Sequence, residues 1–489
     1  MRYISTRGAQ PTTAAEAIVH GICPKGGLYV PETFPAVSLE KLAACPDYCT
    51  LAAEILSLYL TETPYEELLS MTKQAYASFD AEPVVPLHPL HRTEQVMELW
   101  HGPTMAFKDV ALQLLPHLMT DSLSRIGSKE QAYILVATSG DTGKAALEGF
   151  CDVPNTRVLV FYPHGGVSEA QRKQMVTQEG SNTDVCAVVG NFDDAQTAVK
   201  RIFGNEELKE TLRKKGYRLS SANSINFGRL VPQIVYYFSA YLAMIKRGSI
   251  KMGEPIHFCV PTGNFGDILA GYYAMRMGLP VGKLIVASNR NNVLTDFFRE
   301  GIYDANRTFY RSMSCSIDIL ISSNLERLLF LCNGQDAAQT ERQMKELKET
   351  GRYRITEAQR EALSGIFYAD WCTEEDTLKT IFRVYESHGY LMDPHTAVGQ
   401  TILERYVEQT KDETPTVLLS TANPYKFATA VLGAFEEPTT DDFENAERLF
   451  KRTGTPIPMP FATLKEREER HLGLVTIDGM EQRVVTPLL

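Results

Sequence analysis

The chain of 489 residues is 44% hydrophobic and 22% charged, with a formal net charge of −11. That balance describes a globular protein of roughly two to four domains with a large buried core. Its negative field excludes nucleic acid as a partner and leaves any anionic substrate to local groups. The nine cysteines are scattered without a CxxC pair, which fits a reducing compartment and argues against zinc. Met1–Gln10 lacks the apolar core of a signal peptide and no membrane-spanning run follows, so a cytoplasmic protein without membrane or metal partners is expected.

From Met1 to about Leu90, a turn at Gly26-Gly27 leads into the extended Leu28–Pro31, and Leu51–Leu60 and Tyr65–Tyr76 have helical spacing. Between residues 130 and 222 the apolar runs Tyr133–Ala137, Val158–Tyr162 and Val185–Val189 alternate with helical patterns at Ala145–Cys151, Ser168–Glu179 and Asp194–Phe203. Such alternation predicts an open, mostly parallel sheet with helices on its faces. A second series starts with a helix at Leu230–Met244. It continues through a strand at Ile256–Val260, a helix from Asp267, a strand at Leu284–Ser288 and a late strand at Val417–Ser420. The stretch Asn324–Ser387 is polar, and Thr356 with Gln359 and Thr373 with Asp376 have capping-box spacing, so it reads as a helical insertion on the edge of the second unit. The charged tail after Glu436, with Pro456, Pro458 and Pro460, is expected to wrap the surface.

Residues 101–109 read His-Gly-Pro-Thr-Met-Ala-Phe-Lys-Asp. A lysine lodged among Pro, Met, Ala and Phe loses hydration, which disfavours its ammonium form and frees a nucleophilic amine. Such an amine forms a Schiff base with an aldehyde, and pyridoxal phosphate is the usual one. Taken alone, the run better describes a surface lysine beside Asp109. The glycine-rich loops further along reverse that reading.

Gly263, Asn264, Phe265, Gly266 and Asp267 follow an apolar strand and open a helix. Turned-in amides and a helix start suit a cofactor phosphate, although a plain capped turn has the same pattern. Thr138–Gly143 has the same placement and imitates a P-loop. However, Thr138 and Ala145 stand where that motif needs Gly and Ser or Thr, so the hydroxyls and amides of this helix start suit a substrate carboxylate instead. In the loop Asn223–Arg229, Arg229 can grip a phosphate bidentately and Ser224 can donate a hydroxyl; the alternative is a cap with one surface arginine. Thr421 either meets a cofactor ring nitrogen or caps the next helix. Tyr236, Tyr237 and Phe238 read as core and His395 as a structural turn residue, while His101 is a candidate neighbour of the cofactor.

Taken in order, Ser5–Gly8, Gly26–Pro31, Gly102–Asp109, Ser139–Gly143, Asn223–Arg229, Pro261–Asp267, Asp393–Gly399 and Ser420–Phe427 resemble the threonine synthases, in their longer bacterial and fungal form. The resemblance runs from residue 1 to about residue 430. It implies an α/β protein of pyridoxal-phosphate fold type II (tryptophan synthase β-like), with two open, mostly parallel sheets flanked by helices. The implied division is an N-terminal helical domain over 1–90, a large unit over 91–125 and 226–435, a small unit over 126–225 and a tail over 436–489. The insertion, at about 324–387, belongs to the large unit.

The implied reaction converts O-phospho-L-homoserine and water to L-threonine and phosphate with pyridoxal 5'-phosphate as cofactor, in a monomer or, alternatively, a dimer. By resemblance Lys108 is the Schiff-base lysine and later the general base at Cα. Gly263, Asn264, Phe265, Gly266 and Asp267 form the cofactor-phosphate loop, and Thr421 meets the pyridine nitrogen. Ser139, Asp141 and Thr142 lie at the substrate carboxylate and the cofactor's phenolic side, and Ser224, Asn226 and Arg229 bind the substrate phosphate. The chain departs from the family at Asn423, where histidine is usual, and at Ser314–Asp318. It also departs at Val110, where some shorter relatives carry a basic residue, which leaves more of the phosphate load to Arg229. Rival readings are a dehydratase or phospho-amino-acid lyase of the same fold and a non-catalytic homologue, which would have no use for Lys108.

Overall fold

The computed structural model describes residues 1–24, 26–91, 93–138 and 140–486. Its apolar runs form two main sheets. The larger has the strand order Phe367–Trp371, Val281–Ser288, Ile256–Pro261, Thr416–Ser420, Glu94–Glu98, Leu87–His91. All neighbours in it are parallel except the last pair, an antiparallel hairpin. The central strands Ile256–Pro261 and Thr416–Ser420 are buried along their whole length, as strands covered on both faces must be. The smaller sheet is parallel throughout, in the order Gly473–Thr476, Thr183–Val189, Thr156–Pro163, Gln131–Ala137, Tyr217–Ser220.

Helices expected from periodicity form over Tyr48–Tyr59, Tyr65–Tyr76, Asp141–Phe150, Glu169–Val176, Phe192–Gly204, Phe227–Lys246 and Gly266–Arg276. Tyr48–Tyr59 buries Leu51, Ile55, Leu56 and Tyr59, one stripe at helical spacing. Tyr236, Tyr237 and Phe238 are wholly buried core, as expected. Both capping boxes form, at Thr356 with Gln359 and at Thr373 with Asp376.

Three elements differ from expectation. The polar stretch 324–387 is not only helical: Phe367–Trp371 is the edge strand of the large sheet, paired with Leu284–Ser288. Its apolar pattern is masked by Asp370, which is buried there because the Arg299 guanidinium sits 2.5 Å away. The hairpin Leu87–Glu98 crosses residue 90, and Pro89 with His88 and His91 hides the strand signal. The tail does more than wrap the surface. Gly473–Thr476 adds a strand to the small sheet, and the helix Met480–Val485 buries Met480 and Val484 in that sheet's core. Arg483 clamps Asp184 with both oxygens at 2.6 Å.

The turns that leave the carboxyl ends of Gln131–Ala137, Ile256–Pro261 and Thr416–Ser420 converge on Lys108. Ligands of open parallel sheets bind at such ends.

Candidate active site

Lys108 opens the helix Lys108–Leu112, which a chain of constraints holds in place. Met105 is left-handed at φ 60°, and Ala106 bridges Ala422. Phe107 N–H donates to Thr421 O at 2.9 Å. The Asp109 carboxylate accepts the Thr104 N–H at 2.8 Å and its hydroxyl at 2.6 Å, closing the turn. Gly102 is required here, because a Cβ on it would lie 2.4 Å from Asp109 Cβ. Burial pushes Asp109 up to about 6, with the Thr104 hydrogen bonds opposing. The Lys108 side chain is only 10% exposed, its Nζ 3.4 Å from both Asp141 Oδ2 and Ser316 Oγ. Burial lowers the Lys108 pKa; Asp141 opposes this, and Lys426 and Arg229 reinforce it. The expected desolvated amine is present.

Asp141 is the hub. Its Oδ2 accepts the Ser316 hydroxyl at 2.9 Å, and its Oδ1 lies 3.1 Å from Lys426 Nζ. Burial alone would raise its pKa, but Lys426 and Lys108 outweigh that and hold it ionised far below the carboxylate range. Ser316 is fixed from behind: its N–H donates to His395 Nε2 at 3.0 Å, and His395 Nδ1 lies 2.6 Å from Asp393 Oδ2. Neither Lys426 nor Ser316 was singled out from sequence, although Lys426 lies in a quoted stretch. His395 keeps the structural role expected of it. His101 does not join the cluster, being held between Asp80 at 2.7 Å and Glu98 at 2.9 Å.

The loop Gly263–Gly266 provides donors without charge. Phe265 is left-handed at φ 64° and its ring stacks on Phe298, so the loop uses its backbone and not its side chain. Among the described residues, the N–H groups of Gly263, Asn264, Phe265 and Gly266 find no acceptor in the chain. Four consecutive free amides at the start of the helix Gly266–Arg276 fit a phosphate, so the residues present suit the cofactor that the resemblance implies. Asp267 is buried, its Oδ1 taken by Ile268 N–H, and burial raises it to about 6.

Arg229 is buried, and among the described residues its side chain makes a single hydrogen bond, to Ala222 O at 2.9 Å, and has no carboxylate partner. Burial lowers it to about 10. A desolvated cation of this kind needs an anion. Ser224, half-buried in the preceding loop, has no side-chain hydrogen bond among the described residues. Asn226 differs from its neighbours: its amide donates to Ile18 O and Ser221 O at 3.0 Å and its Oδ1 accepts Gly228 N–H at 2.9 Å. All three of these valences are spent holding the loop. Thr421 and Thr142 sit at the expected turns with hydroxyls uncommitted among the described residues. Ser139 lies outside the described residues. Asn423 caps the turn after it, accepting Tyr425 N–H at 3.0 Å.

Fold and site together define the pyridoxal-phosphate fold type II, and residues 81–422 match the family described as pyridoxal-phosphate dependent enzyme. Residues 2–76 match threonine synthase N terminus and residues 396–480 match threonine synthase, C-terminal. A threonine synthase of Pseudomonas aeruginosa is 39% identical over 480 residues, which cover 96% of this chain and 95% of that one. The human protein threonine synthase-like 1 is 38% identical over 96% of this chain, which spans 65% of the human protein's length. The structure of a PLP-bound threonine synthase from Brucella melitensis matches with a TM-score of 0.88 at 38% identity, over 99% of this chain and 98% of that one. Yeast threonine synthase matches with a TM-score of 0.88 at 33% identity, over 100% and 98%. The chain belongs to the threonine synthase family.

Proposed function

We propose that the protein is itself a threonine synthase, converting O-phospho-L-homoserine and water to L-threonine and phosphate. One observation carries the reading: two sets of anion-binding groups, which adjoin where Ser224 lies against Gly266, stand near the buried amine of Lys108. The amides of Gly263–Gly266 suit one phosphate and the unpaired Arg229 suits a second. A dehydratase acting on an unphosphorylated amino acid has use for only the first.

When bound, pyridoxal 5'-phosphate supplies an aldehyde that condenses with an amine, releasing water, and a ring that stores electrons from the bonds at Cα. In this assignment Lys108 is the amine that holds the cofactor. With the substrate held at the site, Lys108 would take the Cα proton and return protons as the product forms. Asp141 and Ser316 keep its Nζ at the site through their oxygens at 3.4 Å. Arg229 and Ser224 hold the substrate phosphate and stabilise its departure from Cγ before water adds at Cβ. Asn226 holds the loop that presents them. Thr421 offers a hydroxyl, and no carboxylate, to the ring nitrogen, while Thr142 and Ser139 serve the substrate carboxylate. Closure of the small unit over the large excludes water from reactive intermediates. We assign the domains as expected from sequence, except that the first boundary is placed before Leu87 and residues 473–485 are grouped with the small unit. No helix among the described residues is long and apolar enough to cross a membrane. A cytoplasmic monomer belongs to the same proposal, and light scattering reads its oligomeric state.

The test is an absorbance spectrum of the purified protein with pyridoxal 5'-phosphate, followed by assay on O-phospho-L-homoserine. An imine band with threonine and phosphate in equal amounts is expected. A band with 2-oxobutyrate moves the protein to the dehydratase or lyase reading. Absence of a band removes the cofactor assignment, and a band without turnover points to a non-catalytic homologue.

A further inference from the structure

Lys426 has no part in the roles above, yet it is among the most deeply buried charges near the site. It lies in the short turn Pro424–Phe427, its side chain only 1% exposed. Its Nζ donates to Thr104 O at 2.8 Å and sits 3.1 Å from Asp141 Oδ1. The other oxygen of Asp141 faces Ser316 Oγ at 2.9 Å and Lys108 Nζ at 3.4 Å. One carboxylate therefore stands between two ammonium groups that arrive from distant parts of the chain.

We propose that Lys426 is a positioning residue for Lys108: by occupying Oδ1 of Asp141, it leaves that carboxylate a single oxygen to share between Lys108 and Ser316. Lys108 is thereby kept close to Asp141 without being clamped by both of its oxygens, and its amine stays available for the aldehyde carbon. The inference rests on the reading of Lys108 as the imine-forming amine.

The groups facing Lys108 come from every element packed on it. They are Asp141 at the start of its helix, Lys426, Arg229, Asp267, and Cys315 beside Ser316, with Asp109 adjacent in sequence and His395 behind Asp141. After burial, Asp141 raises the Lys108 pKa, Lys426 and Arg229 lower it, and Cys315 raises it. Removing Lys426 deletes a like charge and frees Oδ1 of Asp141, which then keeps only the 3.5 Å contact from Gln171 Nε2. Both changes favour the ammonium form. Removing the charge of Asp141 acts in the opposite direction.

The experiment labels the full chain, stripped of cofactor, with a short pulse of acetic anhydride across a pH series and reads Lys108 acetylation by mass spectrometry. Lys426→Met is expected to move the Lys108 midpoint upward by about one pH unit, the scale of a charge interaction over several ångströms in a partly screened interior. Lys426→Arg is expected to restore most of the shift, and Asp141→Asn to move the midpoint downward. A purely structural role for Lys426 does not produce shifts of opposite sign at the two positions. An unchanged or lowered midpoint in folded Lys426→Met overturns the proposal. Should that variant fail to fold, Lys426→Gln, whose amide still reaches Thr104 O, carries the same expectation and the same overturning result. A separate reduction with borohydride after adding pyridoxal 5'-phosphate tags the lysine that forms the imine. A tag elsewhere sinks the Lys108 reading, while the labelling midpoints still decide the role of Lys426.

Discussion

The turns Thr138–Asp141 and Thr262–Gly266 look alike and do opposite things. Each leaves the carboxyl end of a parallel strand and opens a helix, one in the small sheet and one in the large. In the first, the Thr138 hydroxyl accepts the N–H groups of Gly140 and Gly143, both at 3.0 Å, so amides are consumed inside the turn. What it presents is a carboxylate, Asp141, balanced by two lysines. In the second, the Thr262 hydroxyl donates to Val260 O at 2.6 Å, and the amides that follow remain free. A strand–glycine–helix pattern makes an anion cradle only where nothing within the loop takes its N–H groups. Lys108 stands near both turns, its Nζ 3.4 Å from the Asp141 carboxylate of the first.

Four substitutions break or sharpen this contrast. The largest effect is expected from Lys108→Ala, which removes the group both turns serve. Turnover should fall on the order of 10⁴-fold, the upper range for a general base, and the imine band should vanish. Substantial activity in that variant refutes the assignment. Arg229→Ala should lower kcat/KM for O-phospho-L-homoserine by roughly 10²-fold, with the cofactor band retained, because it removes a buried charged donor from the second cradle. Loss of the cofactor instead would mean that the two cradles have been assigned the wrong way round. Gly263→Ala tests the uncharged turn alone: its Cβ would lie 2.9 Å from Ser316 O and 3.2 Å from Ile317 Cα. Cofactor affinity, read by equilibrium titration of absorbance, should weaken about tenfold, or ~1.4 kcal/mol. Retained affinity would show that the amides of this turn are not the phosphate donors. The smallest effect belongs to Arg172→Ala, whose guanidinium faces the tail while the neighbouring Gln171 faces Asp141. It breaks the partly exposed pair of Arg172 with Glu469 at 2.6 Å, which ties the tail to the small unit. Such pairs contribute ~0.2–1 kcal/mol, so denaturant unfolding should shift only slightly, and a larger loss would mean that the tail anchors the whole small sheet.

The parallel strands were legible because strands buried on both faces are written as short continuous apolar runs, Ile256–Val260 being the clearest. Phe367–Trp371 was not, since an edge strand carrying Asp370 has no such run and depends on Arg299 for its burial. Gly473–Thr476 was hidden for a related reason: it is four residues long, and Leu474 at 54% and its neighbour Leu472 at 74% exposure give no inward pattern. At the site, Lys108, Gly263–Gly266 and Arg229 were legible as residue types in strand–loop–helix positions. Asn226 read as a phosphate ligand because an amide before a helix looks the same whether it faces a ligand or its own backbone.

The sequence by itself determined the local grammar: where strands give way to glycine turns, which helices are capped, and which lysine sits among apolar neighbours. Those properties depend on residues within a few positions of one another. Only the tertiary structure decided the charge arithmetic, in which Asp141 is shared by Lys108 and Lys426, Ser316 is held by His395, and Arg229 has no carboxylate partner among the described residues. Burial and Coulomb interaction act through space over a few ångströms, and the groups concerned come from distant parts of the chain. Their meeting is a product of the fold, and no spacing along the chain records it.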